Sequence, residues 1–123
     1  MEFKKLIPML WTDKLNESLE FYTGILGFTQ GERRDDWGWA AVYRDDIEIM
    51  LAVPNEHIPF ERSIFTGTFY IYTDQVDELW EDIKEKVKVL YPIDDFEYGM
   101  REFAIYDNNG YMLQFGKSMN EDG

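Results

Sequence analysis

Residues 12–26, TDKLNESLEFYTGIL, decide the fold of this chain, because residues 73–87, TDQVDELWEDIKEKV, repeat their plan at a shift of 61 (73 − 12). Leu15, Leu19, Tyr22 and Leu26 fall at helical spacing, and the shift lays them on Val76, Trp80, Ile83 and Val87. Thr12-Asp13 lands on Thr73-Asp74, with Asp13 placed to cap the first helix. Any two amphipathic helices share a period, so the order of strands around them carries the argument. A strand precedes each helix, Lys5–Trp11 and Gly67–Thr73, and three strands follow each. The chain therefore reads as α+β, two tandem βαβββ modules over residues 1–62 and 63–123 with one main helix apiece.

Working outward, Gly27 in LGF suits a left-handed helix stop. A short strand Phe28–Glu32 leads into a charged loop, Glu32–Asp36. Trp37–Arg44 and Ile47–Val53 are strands joined at the tight turn Asp45-Asp46. Residues 55–66 form an irregular linker containing His57, the only imidazole, which reads as solvent-exposed. After the second helix come a short strand Val87–Leu90, a loop Pro92–Tyr98 and a strand Met100–Tyr106. Asp107-Asn108-Asn109-Gly110 is a turn with left-handed preference at Asn109-Gly110, and Tyr111–Lys117 closes the fold.

Composition narrows the function. Twelve Lys+Arg against 25 Asp+Glu leave a net charge of −13. That balance argues against nucleic acid and anionic membranes, which need basic patches, and favours neutral or cationic small molecules. At 17% aromatic the chain is no acidic disordered tail. The absence of cysteine excludes disulfides, thiolate nucleophiles and zinc ribbons. No apolar run approaches the roughly 20 residues of a membrane span, and the opening MEFKKLIPMLW lacks a signal-peptide core, so a cytoplasmic protein is expected. No dinucleotide, P-loop, zincin or nucleophile-elbow spacing occurs.

Strand alternation separates two faces. Leu6, Leu10, Ile47, Ile49, Leu51, Phe69, Ile71, Leu113 and Phe115 are uniformly apolar and should pack on the helices. The opposite parity holds Ile7, Met9 and Trp11, Glu48 and Met50, Thr68, Tyr70 and Tyr72, and Met112, Gln114 and Gly116. Aromatic and thioether groups mixed with a few polar ones are what a small-molecule pocket requires. Trp37 and Trp39, beside Glu32, Asp35 and Asp36, are either pocket rim or dimer interface, and would suit a planar cation. Glu48 and Glu102 are either a buried acid pair or two carboxylates at a solvated rim. Arg101 and Glu102 straddle a strand, so at most one of them faces the pocket. The carboxylates Asp74, Asp77, Glu78, Glu81 and Asp82 favour the dipole of the second helix and read as a solvated face.

Residues 7–28, IPMLWTDKLNESLEFYTGILGF, and 98–116, YGMREFAIYDNNGYMLQFG, resemble the opening and the final hairpin of the vicinal oxygen chelate superfamily. This is the glyoxalase/bleomycin resistance protein/dioxygenase group. The resemblance implies paired βαβββ modules whose sheets form a cup, one domain over 1–118 with a frayed tail at 119–123, and commonly a homodimer. It also implies metal ligands at positions that fall on Ile7, Met50 (or Leu51 with a slip of one), Thr68 and Gln114. Ile and Met cannot serve as imidazole or carboxylate does, and Thr and Gln are weak neutral donors. The superfamily's metal chemistry is therefore in doubt. What remains is the bleomycin-resistance branch, which sequesters a drug without transforming it.

The reading is a metal-free, cofactor-free binding protein without catalytic residues. Its ligand, a small aromatic or cationic molecule, meets Met9, Trp11, Trp37, Trp39, Glu48, Met50, Thr68, Tyr70, Tyr72, Glu102 and Gln114. The alternative is a lyase or dioxygenase-type enzyme of the same superfamily, using Glu48, Glu102 or a tyrosine for acid–base work or a non-standard metal site.

Overall fold

The computed structural model describes residues 1–54, 57 and 59–120. The chain divides into two compact units, Met1–Ser63 and Ile64–Gly123. The first contains β1 (Met9–Trp11), α1 (Leu15–Glu20), β2 (Thr29–Arg34), β3 (Trp39–Arg44) and β4 (Ile47–Ala52). The second contains β5 (Phe69–Tyr72), α2 (Val76–Ile83), β6 (Lys88–Phe96), β7 (Met100–Tyr106) and β8 (Met112–Ser118). Their sheets have equivalent orders, β1-β4-β3-β2 and β5-β8-β7-β6. In each, one parallel pair (β1 with β4, β5 with β8) joins two antiparallel pairings. This is the α+β, two-module βαβββ architecture expected from the repeat.

The register makes the repeat residue-specific. Met9 stands opposite Met50 as Tyr70 stands opposite Gln114, and Trp39 opposite Ala52 as Glu102 opposite Gly116. At the strand–helix junctions the Thr12 N–H donates to Ala52 O at 2.9 Å, and the Thr73 N–H donates to Gly116 O at 2.9 Å. The helix-side faces are the cores. Leu10, Val42, Ile49 and Leu51 are buried in the first unit, and Phe103, Ile105, Leu113 and Phe115 in the second. Trp80 of α2 packs its ring 5.0 Å from that of Phe103.

Local departures from expectation have physical causes. The first strand begins only at Met9, because Pro8 has no N–H to give the ladder, and Leu6 is 93% exposed rather than core. Thr12, not Asp13, organises the start of α1: its buried Oγ1 accepts the Lys14 N–H at 3.0 Å and the Ser18 hydroxyl at 2.9 Å. The helix then widens into a π turn, Phe21–Ile25, where the Leu26 N–H reaches Phe21 O at 3.1 Å. Gly27, at φ 74°, ends it as expected. The expected charged loop is mostly strand, since β2 runs to Arg34. The Asp45-Asp46 turn forms, with Asp45 at φ 51°, but in the last hairpin only Gly110, not Asn109, is left-handed. There Asp107 Oδ1 accepts the N–H groups of Asn109 and Tyr111 and holds the loop without that conformation. Within the expected linker, positions 55, 56 and 58 lie outside the described residues, as do 121–123 of the expected tail.

The largest difference concerns residues 88–96. Pro92 marked them as a short strand followed by a loop, yet β6 runs unbroken through it. It does so as the outermost strand of its sheet, with register shifts between Val89 and Tyr91 and between Tyr91 and Asp94. An edge strand with bulges accommodates a residue that lacks an N–H.

The two junction threonines give a direct test of the repeat. Thr12→Val removes two hydrogen bonds from a buried site and should cost about 1–2 kcal/mol. Thr73→Val removes a single long bond, from the Gln75 N–H at 3.3 Å, and should cost well under half as much in the same denaturant titration.

Candidate functional site

In the second unit, β-alternation places Tyr70 and Tyr72, Glu102, and Gln114 and Gly116 on the face of the sheet away from α2. Arg101, next to Glu102, points to the helix side. There it holds Asp77 of α2 through Nε at 3.0 Å and Nη2 at 2.9 Å, and Asp95 of β6 through Nη1 at 2.8 Å. That clamp draws the Asp77 carboxyl below its usual range, and it leaves the opposite face without this guanidinium.

Glu102 is the centre of that face, and its side chain is completely buried. The Tyr70 hydroxyl donates to Oε1 at 2.9 Å. The Gln114 Nε2 donates to Oε2 at 2.9 Å, and the Tyr91 hydroxyl donates to the same oxygen. Tyr98, in the turn after β6, acts on the carboxyl electrostatically. The three donors take three of the about four lone-pair directions a carboxylate offers. None of the three is a cation. Gln114 is itself fully engaged, since Nε2 also donates to Tyr91 Oη at 2.7 Å and Oε1 accepts the Thr68 hydroxyl.

The charge on Glu102 follows from this count. Burial by itself would raise the carboxyl pKa, but the Tyr91, Tyr98 and Tyr70 phenols beside it and the Gln114 amide outweigh it and hold the group below the ordinary carboxylate value. The tyrosines move the other way. Burial, then the Glu102 carboxylate, pushes Tyr91 and Tyr98 each up to about 12 and raises Tyr70 further. At neutral pH the face therefore carries one buried negative charge among neutral phenols.

Aromatic rings surround that charge. Tyr70 and Tyr72 lie 5.2 Å apart, tilted by 55°. Tyr91 meets Phe96 edge-on at 5.5 Å, and Phe96 stacks on Tyr98 at 5.5 Å with an interplanar angle of 16°. Gly116 makes room for Tyr70, because a Cβ there would stand 2.2 Å from Tyr70 Oη. The outcome is a carboxylate set between two groups of rings.

The equivalent face of the first unit has another character. Met9, Trp11, Trp39, Ala41 and Met50 give it an apolar floor, on which Met9 and Trp11 are exposed. Glu48 does not repeat the Glu102 arrangement, because Lys5 Nζ pairs with it at 2.7 Å. Trp37 is exposed, and its ring already carries the Arg34 guanidinium at 4.0 Å. Asp35 and Asp36 are held by Arg33 at 2.6 Å and Arg34 at 3.4 Å. The acidic segment that the sequence offered as an attractor of cations is thus internally paired at both aspartates. His57 is exposed, as expected.

Of the residues proposed from sequence, Thr68, Tyr70, Glu102 and Gln114 come together in one hydrogen-bonded cluster with Tyr72 alongside. Met9, Trp11, Trp39 and Met50 share the first unit's face. Glu102 is no rim carboxylate. Tyr91, Phe96 and Tyr98 were missed: alternation from Val89, which pairs with the helix-side Ile105, puts Tyr91 on the wrong face, and only the register shift between Val89 and Tyr91 sets it opposite Ala104 on the Glu102 side.

The four positions at which the resemblance implies a metal do not fit one. Ile7 and Met50 offer no oxygen or nitrogen side-chain donor, and the Gln114 carboxamide oxygen already accepts from Thr68. The pairing of Met50 with Met9 and Ala41 sets its register, while Leu51 is buried on the helix side. Among the described residues no three His, Cys, Asp or Glu side chains gather as a metal site would need. Among them too, no helix is long and apolar enough to cross a membrane.

Comparison with known proteins adds a family model, described as Glyoxalase/Bleomycin resistance protein/Dioxygenase superfamily, which matches residues 7–115. No curated protein matches the chain. Several solved structures share the fold. TioX from Micromonospora sp. ML1 is 15% identical with a TM-score of 0.76, covering 94% of this chain and 99% of that one. A glyoxalase/bleomycin resistance protein/dioxygenase from Nocardioides is 18% identical with a TM-score of 0.77, covering 100% and 89%. Lactoylglutathione lyase from Agrobacterium tumefaciens is 18% identical with a TM-score of 0.74, covering 98% and 97%. At such identities the likeness concerns the fold alone.

Proposed function

This chain belongs to the glyoxalase/bleomycin resistance protein/dioxygenase superfamily, and we propose that within it the protein is a metal-independent binder of small organic cations. The observation that carries the reading is Glu102, a buried and ionised carboxylate whose three hydrogen-bond partners are all neutral. A buried charge normally has a counter-charge, and here an aromatic-rimmed face stands ready for a ligand to supply one. Tyr70, Tyr72, Tyr91, Phe96 and Tyr98 would meet the ligand's apolar body, and the −13 net charge would draw it in.

The catalytic alternative has the same carboxylate in its favour and one argument against it. A general base works best with a pKa near the working pH, and Glu102 is moved the opposite way. Sequestration fits better than proton abstraction.

Calorimetric titration with benzamidine, benzylamine, benzyltrimethylammonium and the neutral benzyl alcohol tests the reading. The cations should bind and the alcohol should not, with EDTA-treated protein behaving identically. Binding of the alcohol as tightly as the cations, or silence across all the cations, would remove the proposal. Dependence on an added divalent ion would return the metal-dependent reading. Light scattering on the same samples tests the homodimer, which we retain as part of the proposal.

A further inference from the structure

We propose that the organic cation taken by this site is one without N–H donors, a quaternary ammonium or an N-alkylated pyridinium, held over the ring faces of Tyr70, Tyr72 and Tyr98 with no contact to Glu102. The inference rests on the cation-binding reading above and names its ligand class and its mode of contact.

The polar atoms of this face are turned toward one another. Three donors leave one lone-pair direction of the carboxylate open, but Glu102 has no exposed surface at which a ligand atom could meet it. Tyr91 Oη donates to Glu102 and accepts from Gln114 Nε2 at 2.7 Å. The Gln114 amide is used at both ends, since its Oε1 accepts the Thr68 hydroxyl. Tyr70 Oη, bonded to Glu102, lies against Gly116 of β8 in the space a Cβ would fill. An incoming N–H group would give up its water and find no acceptor in exchange, which is the costly way to cover a donor.

What this face offers a ligand is ring surface. Tyr72 is 71% exposed and Tyr98 61%. The Tyr70 and Tyr72 rings, 5.2 Å apart and tilted by 55°, make a corner with two faces rather than a flat stack. Tyr98 is backed by Phe96, on which it stacks. Aromatic faces are negative, and their attraction to a cation needs no hydrogen bond. Tyr70 and Tyr91 both give their hydroxyls to a carboxylate, which leaves their rings richer in electrons. The Glu102 charge adds attraction at longer range, and it is screened little because side chains rather than water lie between.

The ligand class follows from the cost of shedding water. A primary ammonium is a compact, strongly hydrated charge. A methylated nitrogen spreads the same charge over an apolar shell, which gives up water easily and fits against ring faces.

Calorimetry along the series benzylamine, N,N-dimethylbenzylamine and benzyltrimethylammonium tests the inference, with wild-type protein and with Tyr72→Leu and Tyr72→Phe. In wild type, affinity should rise along the series and end about tenfold higher. Tyr72→Leu keeps an apolar side chain but removes the ring, so it should weaken the quaternary probe by about tenfold, and Tyr72→Phe should restore most of that loss. Thermal melting verifies the fold of these exposed-site variants, and Tyr98→Leu provides a second ring removal with the same expected direction. Benzylamine binding as tightly as the quaternary probe or tighter, or unchanged quaternary binding by both Leu variants, overturns this inference and leaves the cation-binding reading standing. If none of the three cations binds, both fall.

Discussion

Glu102→Gln should reduce affinity for organic cations by about a hundredfold and lower stability at pH 7 by about 2 kcal/mol, because charge-assisted hydrogen bonds are worth more than neutral ones. The substitution keeps shape and volume. What it changes is the count of donors and acceptors. A carboxylate accepts from Tyr70, Tyr91 and Gln114, whereas a carboxamide must present its own NH2 to some of those donors. The signature that separates this from a merely structural effect is its pH dependence. The Glu102 carboxyl titrates below its ordinary value in the folded protein, so its contribution is complete above that ordinary value, near 4.5, and is lost as pH falls through the lower folded value. The tyrosines have the opposite sign. Tyr91 and Tyr98 are raised to about 12, so their neutral forms favour the fold below the ordinary value of 10.0 and that contribution disappears as pH rises toward 12. The difference between wild type and Glu102→Gln should therefore be greatest across neutral pH and shrink at both extremes. Asp94 stands opposite Glu102 in the β6–β7 pairing and is exposed. A pH-independent difference in chemical denaturation would show that Glu102 is not held ionised by its neighbours.

The repeat was readable because helix faces are written in a short period. Thr12 to Leu26 and Thr73 to Val87 show the same spacing whatever surrounds them, and the strands before and after follow from alternation. Parity alone also brought Tyr70 and Gln114 to one face of the second sheet, but left open which of Arg101 and Glu102 joins them. What it could not show was how many donors would converge on Glu102, since that depends on β6. Pro92 looks like a strand terminator in any local window, and it is tolerated because β6 is the outer strand, which only the strand order reveals. With β6 shortened, Tyr91 and Phe96 had no face, and Glu102 read more naturally as a rim carboxylate. The surroundings of Trp37 were hidden for the converse reason. Its exposure was legible, but the Arg34 guanidinium already on its ring comes from a bulged β2–β3 pairing that spacing does not encode. Charges close in sequence, such as Arg33 with Asp35, likewise looked available until the chain paired them.

Gly116→Ala should be the most damaging conservative substitution on this face, costing about 2–3 kcal/mol and most of the cation affinity. In β8 nothing about the backbone demands glycine, for Gly116 is not among the residues with left-handed φ. The demand comes from across the sheet. An added Cβ would lie 2.2 Å from Tyr70 Oη, 2.9 Å from Tyr70 Cζ and 3.2 Å from Met100 Cε. Met100 can adapt, because its thioether chain is flexible. Tyr70 cannot move without withdrawing the hydroxyl that bonds Glu102 Oε1 at 2.9 Å. The effect is therefore overpacking compounded by an under-satisfied carboxylate, and it should depend on the phenol. In Tyr70→Phe the nearest colliding atom is absent and the hydrogen bond is already lost, so adding Gly116→Ala to that variant should cost about half as much as in wild type, a coupling expected of residues in contact. Additive losses across this double-mutant cycle would mean that the ring finds another position at no cost. In that event the second module's face is more plastic than its hydrogen-bonded network implies.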